Sequence, residues 1–270
     1  MKKIALFLAL GLAFASCNND DDGGTPPVVN TNVAFTFSQN WDGDPIENSD
    51  YETTVYTNAN GEEMTLSKLV YLISDITFTN TTSGETFDAG DYNLIDARTG
   101  TGTTFTPGVE IPEGEYTVSF TYGFDDEDNQ DGIYQDLNSS DGSWAVPPPL
   151  GGGYHYMRLE GKYINNVGAE TAFQFHNIRA NRHNTLPPGP GTLEELLDTS
   201  IDVDLGTVNI VSGTSIDIEM NVAEWFKNPN TWDLNVLFTI LMPNWDAQIL
   251  MNENGQNVFS RGVVAQPEGQ

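Results

Sequence analysis

Sulfur and basic charge are what this chain has least of. Of its 270 residues one is cysteine and 10 are Lys or Arg, against 39 Asp or Glu, for a formal charge of −29. A single cysteine excludes an internal disulfide. The shortage of bases excludes nucleic acid as a partner, because gripping a phosphate backbone depends on Lys and Arg releasing counterions. It disfavours anionic lipid surfaces for the same reason. The usual enzyme signatures are missing as well: there is no Gly-x-Ser-x-Gly elbow, no Walker A loop and no His-Glu-x-x-His pair. No acid, base and nucleophile set can be assembled, so a non-catalytic protein is expected. Apolar content is not lacking. With 38% hydrophobic and 11% aromatic residues, the chain can bury enough surface to offset the entropy of ordering, which a disordered acidic chain cannot.

The first residues read as an export signal. Lys2 and Lys3 form a positive start, Ile4–Phe14 an apolar stretch too short to span a bilayer, and Ala15 and Ser16 precede Cys17. Phe14-Ala15-Ser16-Cys17 resembles a bacterial lipobox, with residues 1–16 removed and Cys17 lipidated as the first mature residue. The alternative is an ordinary cleavage site that leaves a free thiol. Lipidation anchors a protein without making it span the membrane. Loss of the two leader lysines takes the formal charge to −31. Residues 17–32, with Asp20-Asp21-Asp22-Gly23-Gly24 followed by Pro26-Pro27, read as the lipidated cysteine and an acidic flexible tether. Such a cluster resembles the export signal of surface-exposed lipoproteins, so a cell-envelope, outer-membrane location is expected, with a solvated periplasmic spacer as the plainer reading.

From Val33 the dominant period is two. Val33, Phe35 and Phe37, then Tyr116, Val118, Phe120 and Tyr122, then Ile216, Ile218 and Met220 alternate with polar partners, the pattern of half-buried strands. Further strands are expected at Leu69–Thr79, Tyr154–Tyr163, Thr171–His176, Ile201–Leu205, Thr207–Val211 and Leu234–Ile240. Helical signal is sparse. Thr192-Leu193-Glu194-Glu195 has capping-box spacing and predicts a short helix over Leu193–Asp198, and Val222–Phe226 one further turn. With no repeat and no composition break, residues 33–270 read as one all-β, sandwich-like domain.

Three histidines are few enough to weigh singly. His155 lies in Gly153-Tyr154-His155-Tyr156-Met157-Arg158-Leu159. If that stretch is a strand throughout, His155, Met157 and Leu159 share a face. Imidazole beside thioether is half of a copper site; ordinary core packing is the other reading. Phe173 and Phe175 read as core, which turns His176 to the opposite face. His183 lies in a polar loop. Asp125, Asp126, Asp128 and Asp131 offer hard oxygen ligands to calcium, although the run departs from the EF-hand pattern and also reads as a solvated turn.

Taken together, Phe37–Gly43 (FSQNWDG), Leu66–Phe78 (LSKLVYLISDITF), Tyr92–Asp96 (YNLID), Ile111–Phe124 (IPEGEYTVSFTYGF), Trp144, Gly153–Tyr163 (GYHYMRLEGKY) and Phe173–Asn177 (FQFHN) resemble the MbnP-like family. These are β-rich bacterial lipoproteins and periplasmic proteins, named for a copper-binding protein. The resemblance implies copper as ligand, held by His155 and His176 with Met157 or His183. Some similar proteins carry a tryptophan oxidised to kynurenine by a diheme partner related to cytochrome c peroxidases, which makes Trp41 and Trp144 the candidates here; large aromatic packing is their other reading. Where similar proteins often have His-Asn-Trp-Asp-Gly, this chain has Gln39-Asn40-Trp41-Asp42-Gly43, which removes one histidine. The rival expectation is a surface module that binds a glycan or protein partner without metal.

Overall fold

The computed structural model describes residues 28–90, 92–139 and 143–267. Cys17, the leader and most of the tether lie outside them. The folded part starts slightly before residue 33: Asn30–Thr31 pairs antiparallel with Ile111–Pro112.

Two sheets face each other. The larger has eight strands, and its main path runs Glu170–Asn177, Met157–Ile164, Glu63–Asn80, Gly114–Tyr122, Ile201–Ile210. Its pairs are antiparallel. The 18-residue strand Glu63–Asn80 is the axis, pairing through its first half with Met157–Ile164 and through its second with Gly114–Tyr122. The smaller sheet runs Phe259–Ala265, Ser215–Asn221, Ala34–Trp41, Asp44–Pro45, and its central pair, Ser215–Asn221 with Ala34–Trp41, is parallel.

The two-residue period fixes what meets between the sheets. Phe35, Phe37, Ile216, Ile218 and Met220 face inward from the smaller sheet, and Phe78, Tyr116, Val118, Phe120 and Tyr122 from the larger, all in one buried cluster. Phe35 packs on Phe78 with ring centroids 5.9 Å apart, and Phe120 on Phe259 at 5.5 Å. Full burial of each such side chain is worth about 1.5–3 kcal/mol. On the outer face of the larger sheet lies a second, smaller cluster, Val70, Leu72, Phe124, Leu137, Trp144 and Tyr154, built by residues 123–139 and 143–155 packing over the long strand. That strand is therefore buried on both faces at Leu69-Val70-Tyr71-Leu72-Ile73, which explains its unbroken apolar run.

Two local expectations are corrected. Leu193–Leu197 is a strand paired with Ala180–His183, not a helix. The Thr192 hydroxyl that was to cap a helix instead bonds the Gly189 carbonyl and backbone N–H, and six residues are too few to nucleate a helix without tertiary support. Leu234–Ile240 is a run of turns, because the Asp233 carbonyl and carboxylate draw in the backbone N–H groups of Asn235, Val236 and Leu237. Among the described residues the one α-helix is Trp245–Gly255, capped by the Asn244 side chain on the Ala247 N–H. Val222–Phe226 does form one 3₁₀ turn. Among the described residues no helix is long and apolar enough to cross a membrane.

Candidate functional site

His155 precedes its strand instead of lying in it. The strand begins at Met157, so the alternation that was to put His155 with Met157 and Leu159 does not reach back to residue 155. Met157 and Leu159 enter the main core with Tyr156, while His155 lines a groove on the outer face of the larger sheet with Arg158. His176 is on that face too, opposite Arg158 in the hairpin register and turned away from core Phe173 and Phe175. The structure thus brings His155 and His176 together. Their rings are 5.7 Å apart, edge to face at 82°.

Both lie in an open groove of about 500 Å³, whose lining includes Ser143, Pro147, Arg158 and Met242. Each imidazole is tied by one nitrogen. His155 Nδ1 lies 2.8 Å from the Trp144 carbonyl oxygen and 3.3 Å from Arg158 Nη2; the shorter contact is to a group that only accepts, which assigns the proton to Nδ1 and leaves Nε2 its lone pair. His176 Nε2 is 2.9 Å from Glu160 Oε1 and donates to it, which leaves Nδ1 as the basic nitrogen. The bond from His176 holds the Glu160 carboxyl below its ordinary value, against the opposing effect of burial. His155 is pushed down to about 3, chiefly by burial and then by the Arg158 charge, with the Trp144 bond opposing. It is neutral at any physiological pH.

A carbonyl or carboxylate behind each ring is the arrangement that orients metal-bound histidines. Two imidazoles sharing one ion, with bonds of about 2.0 Å, have centroids no further apart than roughly 6.4 Å, and the observed separation fits. Among the described residues no group of three or more His, Cys, Asp or Glu could hold a metal. Met242, which carries a soft thioether, also lines this groove. Two imidazoles and a thioether suit a soft ion such as Cu(I) better than Zn²⁺ or Ca²⁺.

The placement of His155 depends on the acidic run. Asn129, fully buried, accepts the Tyr154 N–H through Oδ1 at 2.7 Å, and Asp131 Oδ1 accepts the Gly153 N–H at 2.6 Å. Arg179 bonds the Gly151 and Gly152 carbonyls and pairs with Asp126 at 3.2 Å. Gly151, Gly152 and Gly153 all have positive φ, and a Cβ on Gly153 would stand 2.1 Å from Asn129 Oδ1. Only glycine fits there. Asp125 accepts the N–H groups of Glu127 and Asp128. Asp125, Asp126 and Asp131 thus each hold a protein partner of their own.

The remaining residues singled out from the sequence lie elsewhere. His183 has both ring nitrogens engaged, by Thr192 and Asn181, in a separate groove with Trp245. Gln39 bonds the Tyr71 hydroxyl at 3.0 Å and lines another groove with Arg98, so its departure from histidine takes no ligand from the pair. Trp41 stacks on Tyr56 in the main core. Trp144 is fully buried with its ring 5.6 Å from His155, the Arg158 guanidinium 4.9 Å over its face, and no hydrogen-bond partner for Nε1. Met242 and Glu160 were missed. Glu160 was findable, since the hairpin register makes it the diagonal neighbour of His176; Met242 sits in a loop that no periodicity marks.

The class this defines is a two-sheet, mostly antiparallel β-sandwich whose larger sheet carries a pair of tethered imidazoles on its outer face. The MbnP family matches residues 30–242, and the chain belongs to that family. Among solved structures it is similar to MbnP from Methylosinus trichosporium, with a TM-score of 0.54 and 15% identity over 88% of this chain and 100% of that one, a likeness of fold. No curated protein matches.

Proposed function

We propose that this protein is a non-catalytic, lipid-anchored member of the MbnP family that binds copper between His155 and His176 on the cell envelope, for acquisition, storage or handover. The observation that carries this reading is the pair of rings 5.7 Å apart, each with one nitrogen tied and the other basic. Met242 supplies a soft third donor from the same groove, in place of the Met157 and His183 expected from sequence. Cys17, in its lipobox-like context, supports the anchor. Of the two tryptophans, Trp144 is the one whose oxidation would alter the groove, so a diheme partner would act there and not at Trp41.

Cu(I) titration of the whole mature protein against a chromophoric competitor tests the site. One ion per chain is expected, weakened at least about 100-fold in His155→Ala and in His176→Ala and more mildly in Met242→Leu. Wild-type binding no tighter than about 10 μM, or no loss in the histidine variants, would overturn the reading.

A further inference from the structure

The smaller sheet carries a second constellation, where Ala34–Trp41 gives way to the turn at Asp42 and Gly43. Parallel pairing sets Asn221 beside Asn40, so the 3₁₀ turn Val222–Phe226 starts alongside Asp42. Such a turn repeats every three residues, which puts Asn221, Glu224 and Lys227 on one side. Asn221 Oδ1 accepts the Asp42 N–H at 3.0 Å, and its Nδ2 donates to Asp42 Oδ1 at 3.1 Å. Lys227 Nζ donates to the same Asp42 oxygen and stands 3.1 Å from Glu224 Oε1. Glu224 Oε2 is buried with no hydrogen-bond partner. The residues just before the pair, Trp41 and Phe226, stack at 5.9 Å with ring planes 28° apart, holding the two backbones against each other. Asp42 (φ 51°) and Gly43 (φ 95°) form the two-residue turn of the hairpin that pairs Trp41 with Asp44, the conformation an Asp-Gly turn of this kind takes, which fixes the Asp42 backbone beside Asn221.

We propose that Lys227 and Asp42 are joined by an intramolecular isopeptide bond that forms after folding, with Glu224 as the proton-transfer group. Condensation needs Lys227 as the free amine and Asp42 as the uncharged carboxyl, so a proton must first pass from Nζ to an Asp42 oxygen, and Glu224, 3.1 Å from Nζ, is placed to carry it. Nζ attacks Asp42 Cγ, the Nζ–Cγ bond forms, and a Cγ–Oδ bond breaks. Of the three protons on the ammonium, one stays on the amide nitrogen and two leave with the departing oxygen as water. Glu224 takes a proton from Nζ and delivers it to that oxygen, ending as it began. No oxidant or co-reactant is consumed. Fixed proximity supplies the driving geometry, and the half-exposed Asp42 side chain gives the water a way out. Before reaction the two form an ion pair: burial lowers Lys227, but its bonds to Asp42 and Glu224 outweigh that and hold it above its ordinary value. The link would close a loop between positions 185 residues apart, a covalent staple in a chain that has no cysteine pair to make one.

Intact mass of the purified mature chain, measured denatured after incubation of the folded protein at neutral pH, is the test. The wild type is expected one water light, about 18 Da, with a branched tryptic species joining the Asp42 and Lys227 peptides. Lys227→Arg should show the full mass, Asp42→Asn should lose ammonia instead of water, and Glu224→Gln should slow the loss by at least about 100-fold. Asp42 precedes Gly43, and a succinimide there would also lose one water. That product would survive in Lys227→Arg and give no branched species. A full-mass wild type, or a water loss with no branched species, overturns the proposal without bearing on the copper groove.

Discussion

Gly153 is the sharpest test of how the groove is built. Gly153→Ala places a methyl 2.1 Å from Asn129 Oδ1 and 2.8 Å from the Asn129 carbonyl oxygen, at φ +76°. Asn129 is fully buried and its Oδ1 holds the Tyr154 N–H, so yielding space orphans that N–H. Gly168 is the control: its φ is +77°, and a Cβ there meets nothing within 4 Å. Both alanines bear the left-handed backbone cost of about 1–2 kcal/mol; only the first adds about 1–3 kcal/mol of overpacking and about 1–3 kcal/mol for the lost buried hydrogen bond. Urea unfolding should therefore place Gly153→Ala about 2–6 kcal/mol below Gly168→Ala. Adding Asn129→Ala to Gly153→Ala should cost less than the two singles summed, because both act on one contact. A difference between the alanines under about 1 kcal/mol, or full additivity, would refute the account of the acidic run as the clamp that places His155.

Other outcomes follow from the same geometry. His155 is held at about 3 in the fold against 6.5 as its ordinary value, so the unfolded chain takes up a proton the folded one refuses. Its stability contribution is complete above pH 6.5 and is lost as the pH falls toward 3, by up to about 1.4 kcal/mol per unit. His155→Gln should flatten that slope in denaturation series from pH 6.5 to 4, and an unchanged slope would remove burial of His155 as its source. Asp131→Ala deletes the acceptor of the Gly153 N–H and should cost about 1–3 kcal/mol, while added calcium or EDTA leaves the wild-type melting temperature unmoved. A calcium-dependent rise would restore the ion-loop reading. Glu160→Ala releases His176 and should weaken copper binding about 10–100-fold with little change in melting temperature; unaltered affinity would mean that the carboxylate does not orient the ring.

Much of the sandwich was legible because its strands are half-buried. Phe35/Phe37 and Ile216/Ile218/Met220 announce their inner face by alternation alone. The failures are physical. Leu193–Leu197 has a helix-start pattern but borrows its hydrogen bonds from Ala180–His183, which no local rule sees. The helix Trp245–Gly255 carries no clear apolar stripe, and Met251, Gln248 and Asn254 are buried alike. For the site, both histidines were legible but their alignment was not: starting the strand at Met157 instead of Tyr154 reverses which face His155 joins. The roles of Asn129, Asp131 and Arg179 were hidden because they act on backbone groups more than twenty residues away.

The two clusters of the core differ in size, and the smaller is expected to open at lower cost. His176 belongs to the main sheet, whose opening approaches global unfolding. His155 follows the smaller cluster, in which Phe124, Leu137, Trp144 and Tyr154 pack on Val70 and Leu72 of the long strand, and is held there by the clamp on its glycines. Segments with few buried apolar contacts exchange their amides through cheaper local openings. The separation of the two imidazoles is thus a docking distance between a rigid unit and a looser one. A ligand bridging them joins those units, and amide protection at Trp144–His155 should rise on loading far more than at Phe175–His176.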